Sequence, residues 1–343
     1  MRRLTAALLL ALLAACGGGG GDDEAPVPDP PGALNDPNAY SSQPEASLPG
    51  AVEAVATTKH QLRLGGSEIA YTATAGHLIA REPLAGAAQA SLFYVAYTAD
   101  GADPAVRPVT FFYNGGPGSA SVWLHLGSFG PKRLATGVPA TTAARPFPLV
   151  DNADSLLAST DLVFIDAVGS GRSQAIAPYR NRDFWSVGAD AALFRDAIRR
   201  WLQIHGRQAS PLFLYGESYG GPRTAVLARR LQEAGTWPAG LILQSPALDY
   251  HSNCGVTEVA GIACTGYLPS YAATGAWHGL STPTPLDLDT WLAGARGFAA
   301  TQYAPAVQDW LAMALPAPEL WQPLAELSGL PAAQWQLTFI LGP

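Results

Sequence analysis

Residues 212–220 read Leu-Phe-Leu-Tyr-Gly-Glu-Ser-Tyr-Gly. The first four form an apolar run too short for a buried helix, so they predict a strand. Gly216-x-Ser218-x-Gly220 follows, and the residues after it carry Val226, Leu227 and Leu231 at helical spacing up to Glu233, before Gly235 ends the pattern. A strand that runs through Gly-x-Ser-x-Gly into a helix makes a turn sharp enough to need glycine beside the serine. The Ser218 hydroxyl then projects at the end of a sheet, where the N-terminus of the following helix steadies negative charge. Ser218 is therefore the candidate nucleophile.

Outward from this turn the same alternation continues. Apolar runs at 92–97, 109–113, 162–165 and 241–243 predict further strands, and 61–64 with 68–71 around Gly65-Gly66 predict a hairpin. Residues 187–205 place Val187, Ala191, Phe194, Ile198, Trp201 and Leu202 on one helical face, with Ser186 as cap and Gly206 as stop. Strands alternating with amphipathic helices predict an α/β fold, a mostly parallel sheet with helices on both faces. Beyond Pro246 the pattern changes to short helical stretches punctuated by Trp, Pro and Ala, which predict a helical cap. The expected organisation is 1–15 signal peptide, 16–56 tether, 57–249 core and 250–343 cap.

A second turn belongs to the same chemistry. The strand at 109–113 ends in Asn114-Gly115-Gly116-Pro117-Gly118-Ser119, whose backbone N–H groups are free to point one way. Attack by a serine on an acyl group creates an oxyanion that needs two such donors, one from the residue after the nucleophile and one from a turn of this kind. The sequence assigns them to Tyr219 and Gly116. A phosphate cradle would need a lysine after the glycines, and Pro117 removes a donor.

Together, Asn114 to Gly118, the loop Phe164-Ile165-Asp166-Ala167-Val168-Gly169-Ser170-Gly171 and Gly216-Glu217-Ser218-Tyr219 resemble the serine carboxypeptidases of the α/β-hydrolase fold, in the order that family shows. The resemblance spans roughly 57–343. It implies removal of C-terminal residues from peptides through an acyl-enzyme on Ser218, with no cofactor. It also implies that Asn114, the Gly115 N–H and Glu217 hold the substrate's free carboxylate. Glu217 does so only by sharing a proton with it, which favours work at acid pH. A second glutamate that usually supports this residue is replaced here by Ser128. A serine of this kind further needs an acid and a histidine later in the chain. After Ser218 the histidines are His251 and His278, both in the expected cap, and Asp249 with His278 is the pair in the right order. The late strands that carry acid and base in this fold are not visible, so the chain reads as the front part of such an enzyme, ending inside the cap. An esterase or acyltransferase of the same fold, and a lipid-anchored peptide-binding protein without catalysis, are the competing readings.

The whole composition fits an exported protein. Net charge is −7 with 14% charged residues, so no basic field attracts nucleic acid. The apolar run at 4–15 behind Arg2 and Arg3 is too short to span a bilayer permanently and reads as a signal peptide. It ends in Leu13-Ala14-Ala15-Cys16, followed by Gly17 to Gly21, which resembles the lipobox of bacterial lipoproteins. Cys16 would then carry lipid and anchor the exported protein, periplasmic or in the cell envelope, to a membrane. Residues 22–49, rich in Pro, Asp, Ser and Ala, read as a disordered tether. Export also lets Cys254 and Cys264 pair as a disulfide; a metal site would need more ligands than His251 adds.

Overall fold

The computed structural model describes residues 33–136, 146–248, 266–312, 316, 318–337 and 339. The chain begins its regular structure with an antiparallel meander, β1 (Val55–Leu64), β2 (Ser67–Arg81) and β3 (Ala88–Ala99). Gly65 and Gly66, both at positive φ, make the predicted two-residue hairpin between β1 and β2. β4 (Val109–Tyr113) leads through the short helix α1 (Val122–Leu124) to a small hairpin of β5 (Lys132–Leu134) and β6 (Leu149–Asp151). β7 (Asp161–Ile165), the two-residue β8 (Gln174–Ala175), α2 (Val187–Ile204), β9 (Leu212–Glu217), α3 (Gly220–Glu233) and β10 (Pro238–Gln244) complete the core.

The sheet runs in the order β1-β2-β3-β7-β4-β9-β10, with β8 also on β3. β7, β4, β9 and β10 are mutually parallel, while β1 to β3 are antiparallel, so the sheet is mixed rather than parallel throughout. Strand alternation divides its side chains between two faces. Val109, Phe111, Val163, Ile165, Leu212 and Leu214 meet Ala191, Phe194, Ile198, Trp201, Leu227 and Leu231 of α2 and α3. Phe112, Leu162, Phe164 and Tyr215 face the other way, into a cluster with Leu62, Tyr71, Tyr97 and Leu124. This strand order, with its crossovers and with Ser218 directly after β9, is that of an α/β-hydrolase.

The predicted strands and both long helices are present, and Ser186 caps α2 by accepting the Ala189 N–H at 3.2 Å. Past Pro246 no strand occurs among the described residues. Instead α4 (Tyr267–Trp277), α5 (Leu288–Phe298), α6 (Ala304–Leu311), α7 (Trp321–Ser328) and α8 (Ala332–Leu337) pack around their own core, centred on the fully buried Trp335. Among the described strands β10 has a single neighbour, and Leu241, Ile242 and Leu243 on it are exposed.

The expected tether needs correction at 36–48. This stretch is docked rather than free: Leu48 is buried and exchanges backbone hydrogen bonds with Ala175 and Ala177, both at 2.8 Å. Its composition offers little apolar surface, and hydrogen bonds hold it instead. The expected tether bounds therefore include both an undescribed stretch, 16–32, and this docked arm.

Candidate active site

The carboxyl ends of the adjacent parallel strands β7, β4 and β9 lie at the same end of the sheet, so Asp166, Asn114 and Ser218 leave it side by side. In open α/β sheets that is where ligands bind. Ser218 has φ 59°, a left-handed conformation that costs a non-glycine residue on the order of 1–2 kcal/mol. Three backbone hydrogen bonds hold it there. Its N–H donates to the Gln244 carbonyl at 2.9 Å, and its carbonyl accepts from Gly221 at 2.8 Å and Ala247 at 3.0 Å.

The glycines beside the serine are required by contact. A Cβ on Gly216 would lie 2.2 Å from the Gly220 carbonyl, and one on Gly115 would lie 2.5 Å from the Tyr219 nitrogen and 2.6 Å from the Glu217 carbonyl. The Asn114-Gly115-Gly116 turn is thus pressed against the serine turn. Gly116 follows with φ 103°. Both candidate oxyanion donors therefore lie on backbone that meets at Gly115.

The candidate carboxylate-binding residues also come together. Asn114 donates from Nδ2 to Glu217 Oε2 at 2.5 Å, and its Oδ1 accepts the Leu124 N–H at 3.2 Å. Asn114 is buried, and the Glu217 carboxylate has no other hydrogen-bond partner among the described residues. Ser128 does not reach it: its hydroxyl donates to the Trp123 carbonyl at 3.2 Å.

On the Tyr219 side lies a cleft of about 270 Å³, bounded by Pro117, Val168, Trp185 and Tyr219, with Asp190 and Arg223 also in its lining. Sequence reading missed this last pair. Arg223, 1% exposed, donates from Nε to Asp190 at 2.7 Å and from Nη1 to the Asn114 carbonyl at 2.7 Å, and it lies over the rings of Tyr113, Phe194 and Tyr219. Burial raises the Asp190 carboxyl, while the guanidinium and the Tyr219 hydroxyl pull it back. The available signal was a charge on an apolar stripe: Asp190 is one turn from Phe194, and Arg223 one turn from Leu227. Asp166 is raised by burial as well, offset by the amides of Ser121 and Arg172.

No histidine among the described residues hydrogen-bonds Ser218. His60 is exposed on β1, His205 ends α2 against Trp201, and His278 is exposed at the end of α4. His77 bonds Tyr40 at 3.0 Å, and His125 bonds the Tyr97 hydroxyl at 2.6 Å. Cys16, Asp249, His251, Cys254 and Cys264 lie outside the described residues.

A family model described as serine carboxypeptidase matches residues 67–237, which contain both turns and Ser218. Residues 67–237 belong to the serine carboxypeptidase family. A search of curated proteins gives no match. Among solved structures the chain is similar to a prohormone-processing carboxypeptidase of Saccharomyces cerevisiae, at 19% identity and TM-score 0.44, covering 67% of this chain and 48% of that one. It is also similar to an α/β hydrolase from the metagenome of Lake Arreo, Spain, at 18% identity and TM-score 0.28, covering 66% of this chain and 52% of that one. The chain thus spans about half the length of each. The carboxypeptidase segment supplies every residue of the two turns, whereas α4 to α8 lie beyond it.

Burial holds the His125 imidazole down to about 4, from an ordinary value of 6.5. Between those values the unfolded chain binds a proton that the folded chain refuses, so stability is full at neutral pH and falls as pH drops from 6.5 towards 4. His125→Gln should flatten the decline of the melting temperature across that window. Parallel declines in both proteins would show that His125 is not the group responsible.

Proposed function

We propose that this protein is a serine-type carboxypeptidase that releases C-terminal residues from peptides through an acyl-enzyme on Ser218. One observation carries the reading: the Asn114–Glu217 hydrogen bond sits at the strand ends that also present Ser218 at φ 59°. A carboxylate held by Asn114, the Gly115 N–H and Glu217 would fix the last peptide bond relative to the serine hydroxyl, replacing translational freedom with a set distance.

In this mechanism the Ser218 Oγ bonds to the scissile carbonyl carbon, and its proton passes by way of a base to the departing amine. The carbonyl oxygen becomes an oxyanion facing the N–H groups of Gly116 and Tyr219. Collapse breaks the C–N bond and leaves an ester on Ser218, which water then hydrolyses to a free carboxylate and the restored serine. The chain ahead of the scissile bond has the cleft beside Tyr219 for its side chain. Its volume suits one side chain, and its Val168 and Trp185 walls favour an apolar one. Asp190 and Arg223 neutralise each other there and leave no net charge to attract a charged residue.

We also propose, from Leu13-Ala14-Ala15-Cys16 and the glycines after it, that the protein sits in the cell envelope with lipid on Cys16. Among the described residues no helix is long and apolar enough to cross a membrane, so a lipid would be the means of attachment for this part of the chain. A single acyl chain holds only marginally, so several are expected on Cys16. Cys16→Ser should move the protein from the membrane fraction to the soluble one; unchanged retention would contradict lipidation there.

Ser218→Ala should abolish turnover of every substrate, by as much as about 10⁶-fold in a complete enzyme. Asn114→Ala should reduce kcat/KM for peptides with a free C-terminus by about 10²-fold, the scale of lost charge-assisted hydrogen bonds, and spare small esters. Equal loss on esters and peptides in Asn114→Ala would assign Asn114 to the oxyanion turn and favour an esterase or acyltransferase. Tight peptide binding without turnover would favour a binding protein.

A further inference from the structure

The docked arm at 41–48 lies upstream of the segment that matches the family, yet it touches the candidate cleft: Ser42 is part of the cleft lining. The loop after β7 forms the adjoining wall through Ala167, Val168 and Gly169. Arm and loop are joined by Asn181, which is fully buried. Its Nδ2 donates to the carbonyls of Ser41 at 2.8 Å and Gln43 at 3.0 Å, and its Oδ1 accepts the Ala175 N–H at 3.1 Å. Its own N–H donates to the Ala46 carbonyl at 3.1 Å. Both amide hydrogens of the side chain are thus spent on the arm, while its oxygen accepts from β8, the strand into which the loop runs.

Gly169 of the cleft wall backs directly onto this residue. A Cβ added there would lie 3.5 Å from Asn181 Nδ2 and 3.2 Å from Trp185 Nε1. Further bonds run alongside: the Ser41 N–H donates to Gln174 Oε1 at 2.8 Å, and the Arg182 N–H to the Pro44 carbonyl at 3.1 Å. Leu48 is bridged to Ile176 and shares a small apolar cluster with it and Ile79. The pairs of Glu45 with Arg180 and Arg182 are half-exposed and add little. A floppy leader has no reason to saturate a buried amide, whereas a fixed wall does.

We propose that the arm at 41–48 is a built part of the substrate cleft, holding the Ala167–Gly169 wall in place through Asn181, and that Ser42 limits the size of the side chain the cleft admits. Asn181 is a positioning residue in this scheme, and Ser42 a specificity-determining one. The cleft's use for a peptide side chain rests on the carboxypeptidase reading; the coupling of arm to wall does not.

Hydrogen exchange followed by mass spectrometry on the full chain tests the coupling alone. Asn181→Ala should speed exchange about tenfold or more at both 41–48 and 167–176, leaving the amides of α2 and α3 unchanged. Asn181→Asp, which keeps the oxygen on Ala175 but loses the two donors, should free the arm more than the loop. Unchanged exchange in the arm or in the wall on Asn181→Ala would overturn the proposal. Substrate size is tested by equilibrium binding in a Ser218→Ala background, where nothing is consumed. Adding Ser42→Trp should weaken benzoyl-Phe-Leu about tenfold or more and leave benzoyl-Ala-Leu within about twofold, since the bulky ring occupies space that only the larger ligand needs. Equal effects on both would remove Ser42 from the cleft's selectivity. Failure of the Ser218→Ala chain to bind either peptide would count against the carboxypeptidase reading and against any gate at Ser42, while the exchange result would still decide the arm.

Discussion

Ser218 must turn its backbone to φ 59° at the end of β9, and much of the surrounding architecture follows from making that turn possible. The turn has room only because Gly216 carries no side chain where it meets the Gly220 carbonyl. The second turn, at Asn114–Gly118, can press against it only because Gly115 has none. A methyl group at 216 would meet the backbone of α3 itself, and no rotamer change could relieve that clash. The parallel register of β4 with β9, pairing Tyr113 with Gly216, then fixes how far Asn114 stands from Glu217. The proposed nucleophile, oxyanion turn and carboxylate clamp are in this sense one constraint expressed at two adjacent strand ends.

Beneath the turns the polar groups are organised rather than merely tolerated. Arg223 sits one helical turn past the serine, reaches back to the Asn114 carbonyl and pairs with Asp190 on the neighbouring helix. Taking such a pair out of water is costly, and replacing one by apolar residues is often neutral or stabilising, so its contribution is better sought in geometry than in stability. It ties α2, α3 and the Asn114 turn to a common point. Three aromatic faces around the guanidinium restrict where that point can lie.

Local chemistry made most of the core legible. The runs at 109–113 and 212–215 are buried on both faces and bounded by glycine-rich turns, so their short apolar stretches had one good reading. The helix at 187–204 announced itself through its period and its serine cap. The arm at 36–48 was unreadable for a physical reason: it is held by backbone carbonyls meeting Asn181 and Arg182, and a backbone acceptor leaves no mark in composition. The antiparallel β1–β2 hairpin was legible from Gly65-Gly66, whereas the antiparallel pairing of β3 was not, because alternation is shared by strands of either direction. The helices beyond Pro246 were visible as a class, but their common core around Trp335 brings together residues far apart in sequence.

The account's central claim is that Ser218 is a reactive nucleophile standing beside a clamp for a free carboxylate. The most direct measurement is labelling by a fluorophosphonate, with the modified peptide located by mass spectrometry, in the presence of a competing peptide bearing either a free C-terminal carboxylate or its amide. The account predicts a label confined to Ser218, with protection by the free acid and far weaker protection by the amide, because only the acid engages Asn114 and Glu217. Labelling at another residue, or equal protection by acid and amide, would contradict it.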